Sequence, residues 1–360
     1  MQLEGLLKLA CDLNVSDVHL AVNSVPVVRL NGELIFLDQF GGGGIDPVWQ
    51  RCLSAEDTEN LAAQVLKGNL LEKFYHDGEA DLSYSIPGVG RFRINVFRQR
   101  GSVSVAVRPV KMTIPSLDEL GLPETVARLA RLPRGLVLVT GPTGSGKSTT
   151  LAAMIDLLNT EARLHVITLE DPIEYVHRHR ACLVNQREIG QDTLSFASAL
   201  RAAMREDPDI ILVGEMRDLE TIAGAITAAE TGHLVFATLH TAGSAQTVDR
   251  IIDVFPPYQQ QQIRVQLAAT IQGIVAQQLL PRKDGQGRVA AVEIMIATPA
   301  VRNLIRESKT FQIPSQIQTG AKFGMQTMET ALRELCRAGI ISREEALASA
   351  FDPEGLLRIL

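Results

Sequence analysis

The first 110 residues alternate apolar and polar positions over short stretches, in a pattern that predicts a small mixed α+β domain. Apolar residues at helical spacing predict one helix over residues 3–13 and a second over about 55–67. Apolar positions at every second residue predict strands over residues 17–20, 26–30, 33–36, 81–86, 91–97 and 103–107. Asn31-Gly32 is typical of a tight hairpin turn, and Gly41–Gly44 of a flexible loop.

The pattern changes across residues 111–121, where Pro115 and Gly121, followed by Pro123, are typical of an interdomain linker. Beyond it, continuous apolar runs predict strands over residues 136–140, 165–169, 210–213 and 234–239. Such runs, separated by helical segments, are typical of a mostly parallel sheet covered on both faces. Helices are predicted near residues 300–307, 325–338 and 342–351. We therefore predict an α/β protein with an α+β domain (1–110), a linker (111–121) and a larger domain (122–360).

Composition and charge limit the possible partners of a 360-residue chain of this kind. Hydrophobic residues make up 46% and charged residues 21%, as in ordinary globular proteins. The net charge of −6 is divided evenly between residues 1–110 and the rest, so neither part is basic and nucleic acid is not an expected partner. Four scattered cysteines suggest reduced thiols rather than a zinc site. Without a signal peptide or an apolar span, we expect a cytoplasmic protein.

A glycine-rich phosphate-binding motif follows the predicted strand 136–140 and precedes a helical stretch. It fits the pattern G-x-x-x-x-G-K-[ST], and its residues are Gly141, Pro142, Thr143, Gly144, Ser145, Gly146, Lys147 and Ser148, followed by Thr149. The N–H groups of such a loop and of the helix that follows it face phosphate oxygens. We expect Lys147 to contact the β- and γ-phosphates of a nucleotide and Ser148 to bind Mg²⁺.

Acidic residues end two of the predicted strands. Glu215 follows strand 210–213 in the place of a Walker B carboxylate, and we expect it to hold Mg²⁺ directly or through water. Glu170, Asp171 and Glu174 follow strand 165–169, and carboxylates this close repel one another unless a cation or a polarised water lies among them. One of them is expected to orient or deprotonate the attacking water. The alternative for residues 170–174 is an exposed acidic turn.

Two histidines, His233 and His240, lie at the two ends of the predicted strand 234–239. Because His240 is at the carboxyl end, we expect it to belong to the nucleotide site. For His233 two roles stay open, capping the strand and sensing the γ-phosphate.

In this order, the motifs resemble those of the secretion ATPase family that powers type II secretion and type IV pili. Residues 170–174 correspond to its Asp box and residues 233–240 to its His box. Ser16-Asp-Val-His-Leu20 is similar to the family's N-terminal S-D-[LIV]-H motif. Val301-Arg-Asn-Leu-Ile-Arg-Glu307 is similar to the A-I-R-N-L-I-R-E signature of its pilus retraction branch, with Val301 in place of Ile.

The resemblance implies a PAS-like N-terminal domain, a RecA-like P-loop domain, ATP and Mg²⁺ as ligands, and a ring of six identical subunits. It also implies a cytoplasmic motor that docks at the inner membrane on the pilus platform protein and hydrolyses ATP to drive pilus retraction and twitching motility. The Asp-box pattern points to Glu174 as the residue that activates water, although spacing alone does not separate Glu174 from Glu170.

Five arginines occupy a segment that contains no acidic residue: Arg91, Arg93, Arg98, Arg100 and Arg108. The resemblance implies that arginines of this segment reach the γ-phosphate, where a guanidinium can stabilise the transition state. Arg91, Arg93 and Arg108 are the candidates, because the other two fall at a turn. The alternative is a solvated basic hairpin face.

Two other functions compete with a retraction motor. One is a nucleotide-bound accessory paralogue that regulates or binds a partner motor, against which the intact set of carboxylates argues. The other is a nucleic-acid translocase on the same core, which the even charge balance disfavours.

Overall fold

A computed structural model describes residues 1–30, 32–40, 45–110 and 113–360. Its internal contacts divide the chain into two units, Met1–Met112 with Glu174–Val176, and Thr113–Ile173 with His177–Leu360. Three sequence predictions lie at least partly outside the described residues. They concern the Asn31-Gly32 turn, the Gly41–Gly44 loop and the first two residues of the linker, Lys111 and Met112.

Over its described residues, the first unit is an antiparallel sheet with three α-helices. The helices are α1 (Leu3–Asp12), α2 (Ala55–Ala63) and α3 (Asn69–Asp77). The strands are β1 (Asp17–Leu20), β2 (Val27–Leu30), β3 (Glu33–Phe36), β4 (Glu79–Ile86), β5 (Gly90–Gln99) and β6 (Ser102–Pro109), in the order β3-β2-β1-β6-β5-β4. The predicted strands are all present. The predicted helix 55–67 ends earlier, at Ala63, and α3 was not predicted; Gly68, at φ 54°, separates the two helices.

Strand β5 carries the alternation that the sequence predicts. Phe92, Ile94 and Val96 are fully buried, whereas Arg93 on the other face is exposed. Because side chains of a strand point alternately to its two faces, Arg91 and Arg93 lie on the face opposite the core of the unit.

The second unit is a seven-stranded sheet with helices on both faces. Its strands are β7 (Gly135–Thr140), β8 (His165–Glu170), β9 (Leu183–Glu188), β10 (Ile210–Val213), β11 (Leu234–Leu239), β12 (Ile271–Pro281) and β13 (Arg288–Ile296). Its helices are α4 (Glu124–Ala130), α5 (Lys147–Glu161), α6 (Phe196–Ala203), α7 (Leu219–Glu230), α8 (Ser244–Asp253), α9 (Pro257–Thr270), α10 (Pro299–Arg306), α11 (Ile313–Thr319), α12 (Met328–Arg337), α13 (Arg343–Ser349) and α14 (Pro353–Ile359). The strand order is β13-β12-β7-β11-β10-β8-β9, and every adjacent pair is parallel except β12–β13.

Burial on both sides of the central strands accounts for their continuous apolar sequences. All six residues of β7 are buried. Leu136 and Leu138 pack with residues of α7 and α8 on one face, whereas Val137 and Val139 pack with residues of α4 and α5 on the other. The mostly parallel, doubly covered sheet is therefore as predicted.

The sequence analysis did not predict three strands of this sheet, β9, β12 and β13. The edge strand β9 has the sequence LVNQRE, of which only Val184 and Glu188 are buried. Strand β12 contains three glutamines, and it pairs with β13 as a long antiparallel ladder. Polar residues at buried or edge positions weaken the pattern on which such predictions depend.

The parallel register places the carboxyl ends of β7, β8, β10 and β11 along one edge of the sheet. The residues at these ends are Thr140, Glu170, Val213 and Leu239. Loops that follow such strands are where open α/β sheets bind ligands. In the parts of the chain that the structure describes, no helix combines the length and the apolar character needed to cross a bilayer.

Asn159, fully buried on α5, fastens the segment that follows the Asp box to the helix that follows the phosphate loop. Its Nδ2 donates to the carbonyl of Arg178 at 2.6 Å, and its Oδ1 accepts from the N–H groups of Arg180 at 3.2 Å and Cys182 at 3.3 Å. One side chain thus satisfies three backbone groups.

We predict that Asn159→Ala lowers the free energy of unfolding by about 2–4 kcal/mol, because three backbone groups lose hydrogen bonds that are buried or partly buried. Urea denaturation provides the measurement. The control is Thr160→Ala, at the exposed neighbouring position, which should change the free energy by less than about 0.5 kcal/mol. Equal losses in the two variants would contradict the role assigned to Asn159.

Candidate nucleotide site

The phosphate loop runs from the end of β7 to the first residue of α5. Gly141, Gly144 and Gly146 have φ angles of 142°, 79° and 88°, a region that residues with a side chain rarely adopt. Gly146 is the N-cap of α5, a helix of 15 residues, so the first N–H groups of the helix are directed toward the loop. The local backbone therefore has the form of an anion-binding cradle.

Lys147 places its charge inside this loop. The residue is 9% exposed, and its Nζ donates to the carbonyls of Gly141 at 2.9 Å and Pro142 at 3.1 Å. The ammonium group is thus held at the concave side of the loop by the loop's own backbone. The remaining residues of the motif divide by exposure: Pro142, Thr143 and Gly144 are exposed, Ser145 is buried, and Ser148 and Thr149 are half-buried in the first turn of α5.

Glu215, after β10, lies in a network that leads back to the loop. Its Oε1 accepts a hydrogen bond from Nε of Arg217 and lies 3.1 Å from Nε2 of His240. Nδ1 of His240 is in turn 3.5 Å from Oγ1 of Thr143 in the phosphate loop. Strand ends and loop therefore meet through side chains, and Arg217 is a member that the sequence analysis missed.

The charge of Glu215 is maintained by these neighbours. Burial by itself would raise the pKa of Glu215, but the hydrogen bond from Arg217 and the nearby charges of His240 and Arg217 bring the pKa below its ordinary value. The same contact raises the pKa of Arg217. The carboxylate is consequently ionised at neutral pH and available as an oxygen ligand.

Gly214 joins three strand ends just before Glu215. Its N–H donates to the carbonyl of Leu169 at 2.7 Å, and its carbonyl accepts a hydrogen bond from Oγ1 of Thr238. A Cβ at this position would lie 3.0 Å from the Leu169 oxygen and 3.3 Å from Cα of Glu170. The backbone approach therefore brings the ends of β8 and β10, and with them Glu170 and Glu215, close together.

Glu170 is oriented by two donors from its own and the neighbouring strand. Its Oε1 accepts from Oγ1 of Thr168 at 2.6 Å and from Nε2 of Gln186 at 3.0 Å. Gln186 is level with Thr168 in the β8–β9 register, and its Oε1 accepts from the N–H of His177 at 2.8 Å. The sequence offered no signal for Gln186, because β9 was not predicted.

Glu174, the other candidate base, is exposed, as is Asp171. The internal contacts of Glu174–Val176 assign that short segment to the first unit, whereas Glu170 belongs to the second.

The two histidines of the His box lie at opposite edges of the sheet. His240 follows the carboxyl end of β11, as expected, whereas His233 precedes the strand, and the carbonyl of His233 accepts from the N–H of Gly135 at 2.9 Å. The six residues of β11 separate them by roughly 20 Å. Nδ1 of His233 lies 2.9 Å from the carbonyl of Ala228. Within one chain, these contacts fit the capping role, and the structure does not bring His233 to the loop.

In the first unit, two of the candidate arginines are direct neighbours. Arg93 of β5 and Arg108 of β6 are paired across the strands, so their side chains share one face, and both are exposed. Arg108 donates to Oδ1 of Asp17, with its Nε at 2.9 Å and Nη2 at 2.8 Å. The segment contains no acid of its own, but β1 supplies one to Arg108. Arg91 is half-buried, and its Nη1 donates to Oγ of Ser85 at 3.4 Å.

The two arginines near the turn are placed differently from the candidates. The guanidinium of Arg98 lies over the rings of Phe74 and Tyr75, at 5.5 and 6.0 Å from their centroids. Arg100 has a φ of 50°, which is a turn conformation. Arg98 is thus placed against an aromatic pair and Arg100 in the turn.

A strand, a phosphate loop and a helix at the carboxyl edge of a mostly parallel sheet, with an ionised carboxylate after a second strand, define a RecA-like P-loop ATPase. The chain belongs to the family of type II/IV secretion system proteins, whose model matches residues 88–348. The resemblance inferred from the motifs is thereby confirmed.

Relatives match nearly the whole chain. It is 48% identical to the type IV pilus retraction ATPase PilT of Pseudomonas aeruginosa, over 98% of this chain and 99% of the relative. It is 39% identical to the type IV pilus ATPase PilU of the same organism, over 100% and 91% of the two chains. A solved structure of the pilus retraction motor PilT with bound ADP is 49% identical, covers 99% of both chains and has a TM-score of 0.90. The predicted fold class is confirmed by this likeness.

The ion pair of Glu215 with Arg217 gives a pH-dependent prediction. Because the folded-state pKa of Glu215 is lowered, the pair stabilises the protein above the ordinary carboxyl pKa of about 4.3 and stops doing so as the pH falls through the lowered value. Arg217→Gln should therefore lower the melting temperature at pH 7, by an effect of at most about 1 kcal/mol because Arg217 is largely exposed.

The difference between wild type and variant should shrink as the pH falls below about 4.3, and melting curves recorded from pH 7 into this acid range check this. Arg205→Gln, at another exposed position of the same unit, is the control and should show no such pH-dependent difference. A difference for Arg217→Gln that is constant with pH would refute the assignment.

Proposed function

We propose that this protein is an ATP-hydrolysing motor that drives type IV pilus retraction, and hence twitching motility. The observation that carries the proposal is the full-length likeness, in sequence and fold, to a retraction motor whose structure contains ADP. The phosphate loop, the buried Lys147 and the ionised Glu215 supply the chemistry that such a motor requires. The paralogue PilU is a more distant relative, which favours a motor over an accessory role.

The residues at the sheet edge can divide the work of hydrolysis among them. The loop N–H groups and Lys147 bind and orient the phosphates, so that a water can attack the γ-phosphorus in line with the leaving β-phosphate oxygen. Ser148 and Glu215 present a hydroxyl and a carboxylate, the oxygen ligands that Mg²⁺ prefers. Bound there, Mg²⁺ would neutralise phosphate charge. His240 lies between Glu215 and Thr143, so it would fix the positions of these two side chains relative to each other.

A carboxylate takes the proton that the attacking water loses. Glu170 is positioned for such a task by Thr168 and Gln186, which hold one of its oxygens. Glu174, which the family pattern favours, is exposed. Both stay candidates for the base in the proposed mechanism.

We further propose that the motor works as a ring of six identical subunits, docked on an inner-membrane platform protein of the pilus machine. In such a ring, a nucleotide site can be completed by residues of the neighbouring subunit. Arg93 and Arg108 are the residues that support this part of the proposal. They are like charges placed opposite each other on an exposed face, an arrangement that costs free energy unless an anion lies nearby. Asp17 compensates one of them, and the phosphates of a nucleotide bound to a neighbouring subunit would compensate the other.

Lys147→Ala should abolish measurable ATP turnover by the purified protein, because the loop loses the charge that contacts the β- and γ-phosphates. The exposed Lys322→Ala is the matched control and should hydrolyse ATP at the wild-type rate. Cells that carry Lys147→Ala in place of the wild-type gene should still form pili, and these pili should no longer shorten. If Lys147→Ala hydrolysed ATP at the wild-type rate, the assignment of the nucleotide site would be wrong. If the wild-type protein alone hydrolysed no ATP, the accessory role would be favoured.

Arg93→Ala and Arg108→Ala should each reduce kcat by about 10²-fold or more if their guanidinium groups stabilise the transition state. Arg100→Ala, at the turn, is the control and should keep the wild-type kcat.

Mixing two inactive variants distinguishes sites shared between subunits from sites within one subunit. Rings assembled from Arg93→Ala and Lys147→Ala subunits should regain activity, because some interfaces then combine an intact loop with an intact arginine. No gain on mixing would contradict action across the interface.

A further inference from the structure

Gln277 is a buried glutamine on β12 that touches both the phosphate loop and the helix after it. The residue is 3% exposed. Its Nε2 donates to the carbonyl of Ser145 at 2.8 Å, and its Oε1 accepts from Oγ1 of Thr150 at 2.7 Å. One amide group therefore connects the loop with the first turn of α5 from a strand more than a hundred residues away.

The loop approaches β12 so closely that two of its glycines, Gly141 and Gly146, leave no room for a side chain. A Cβ on Gly146 would lie 2.8 Å from Nε2 of Gln277, and a Cβ on Gly141 would lie 2.2 Å from the Gln277 carbonyl oxygen. In the β7–β12 register, Ala276 is level with Thr140, so Gln277 stands where the loop begins. The loop thus packs directly against β12 at these two glycines.

The bond to Ser145 has a consequence for phosphate binding. The peptide unit between Ser145 and Gly146 is planar and trans, so its carbonyl and its N–H point in opposite directions. When Gln277 fixes the Ser145 carbonyl toward β12, the N–H of Gly146 is turned away from β12. Phosphate-binding loops rely on N–H groups that are oriented before the ligand arrives.

We propose that Gln277 is a positioning residue for nucleotide binding, which holds the Ser145–Gly146 peptide in the orientation that presents its N–H to phosphate. This inference rests on the proposed nucleotide-dependent function and adds a residue outside the motifs described above. Thr150 fixes the side chain from the other end, so that the amide cannot rotate without losing a bond.

The test measures the binding of a fluorescent ADP analogue and the melting temperature, with and without ADP, on the full-length protein. Gln277→Leu removes both bonds while preserving approximate volume, and we expect the Kd for ADP to rise roughly tenfold. Gln277→Glu keeps an acceptor for Thr150 but has no donor for Ser145, and it should weaken binding at least as much. Thr150→Val leaves the bond to Ser145 intact and should cost less, about threefold. Gln278→Leu, at the next and half-buried position of β12, is the matched control and should stay within twofold.

These measurements separate positioning from mere structural support. If Gln277 only stabilised the fold, its loss would lower the melting temperature of the ligand-free protein and leave the affinity of the folded protein unchanged. We expect instead that the rise in melting temperature on adding ADP becomes smaller in Gln277→Leu. Adding Thr150→Val to Gln277→Leu should then change the Kd no further, because the two share one bond.

An ADP affinity of Gln277→Leu within twofold of wild type would overturn the inference, and so would an equal loss in Gln278→Leu. Because ADP binding by the wild type and its loss in Lys147→Ala are measured in the same series, a wild type that binds ADP beside an unchanged Gln277→Leu refutes the inference alone. A wild type that binds no ADP refutes the proposed function as well.

Discussion

The alignment of the parallel strands β7, β11, β10 and β8 is the constraint on which the candidate site depends. Their backbone ladders bring Thr140, Glu170, Val213 and Leu239 to one edge, although these residues are far apart in sequence. A slip of one residue in any pair would move buried side chains to the opposite face of the sheet. Because helices pack on both faces, such a slip would disrupt the packing of buried apolar side chains. The free-energy cost of this disruption keeps the site groups together.

The charged groups at that edge are held in position by the protein itself. Lys147 is retained by carbonyls of its own loop, and Glu215 is kept ionised by Arg217 and His240. Groups fixed in this way need little reorientation when a highly charged ligand binds. The arrangement also separates functions, since the phosphate loop supplies positive potential while the ends of β8 and β10 supply carboxylates.

Much of this site could be predicted from sequence, because its parts are local. The phosphate loop and the carboxylates follow continuous apolar runs, and burial on both faces makes such runs conspicuous. Contacts between distant elements could not be predicted in this way. Gln186 and Gln277 lie on strands that were not predicted, since polar residues interrupt their apolar pattern. Arg217 contacts Glu215, two residues before it, and no recognisable motif marks this pair. His233 shows another limit: its place before β11 could be read from the sequence, but the sequence did not separate capping the strand from sensing the γ-phosphate.

Gly214 illustrates how neighbouring backbone atoms, rather than the backbone angles of the residue itself, can exclude a side chain from a position. The glycines of the phosphate loop have positive φ, so their own conformation excludes other residues. Gly214 is not among the residues with positive φ, yet a single methyl group there would press on the Leu169 carbonyl and the Glu170 backbone. A substitution at this position acts as a wedge between β8 and β10. The close approach of the ends of β8 and β10, on which Glu170 and Glu215 are carried, therefore depends on the absence of a side chain at Gly214.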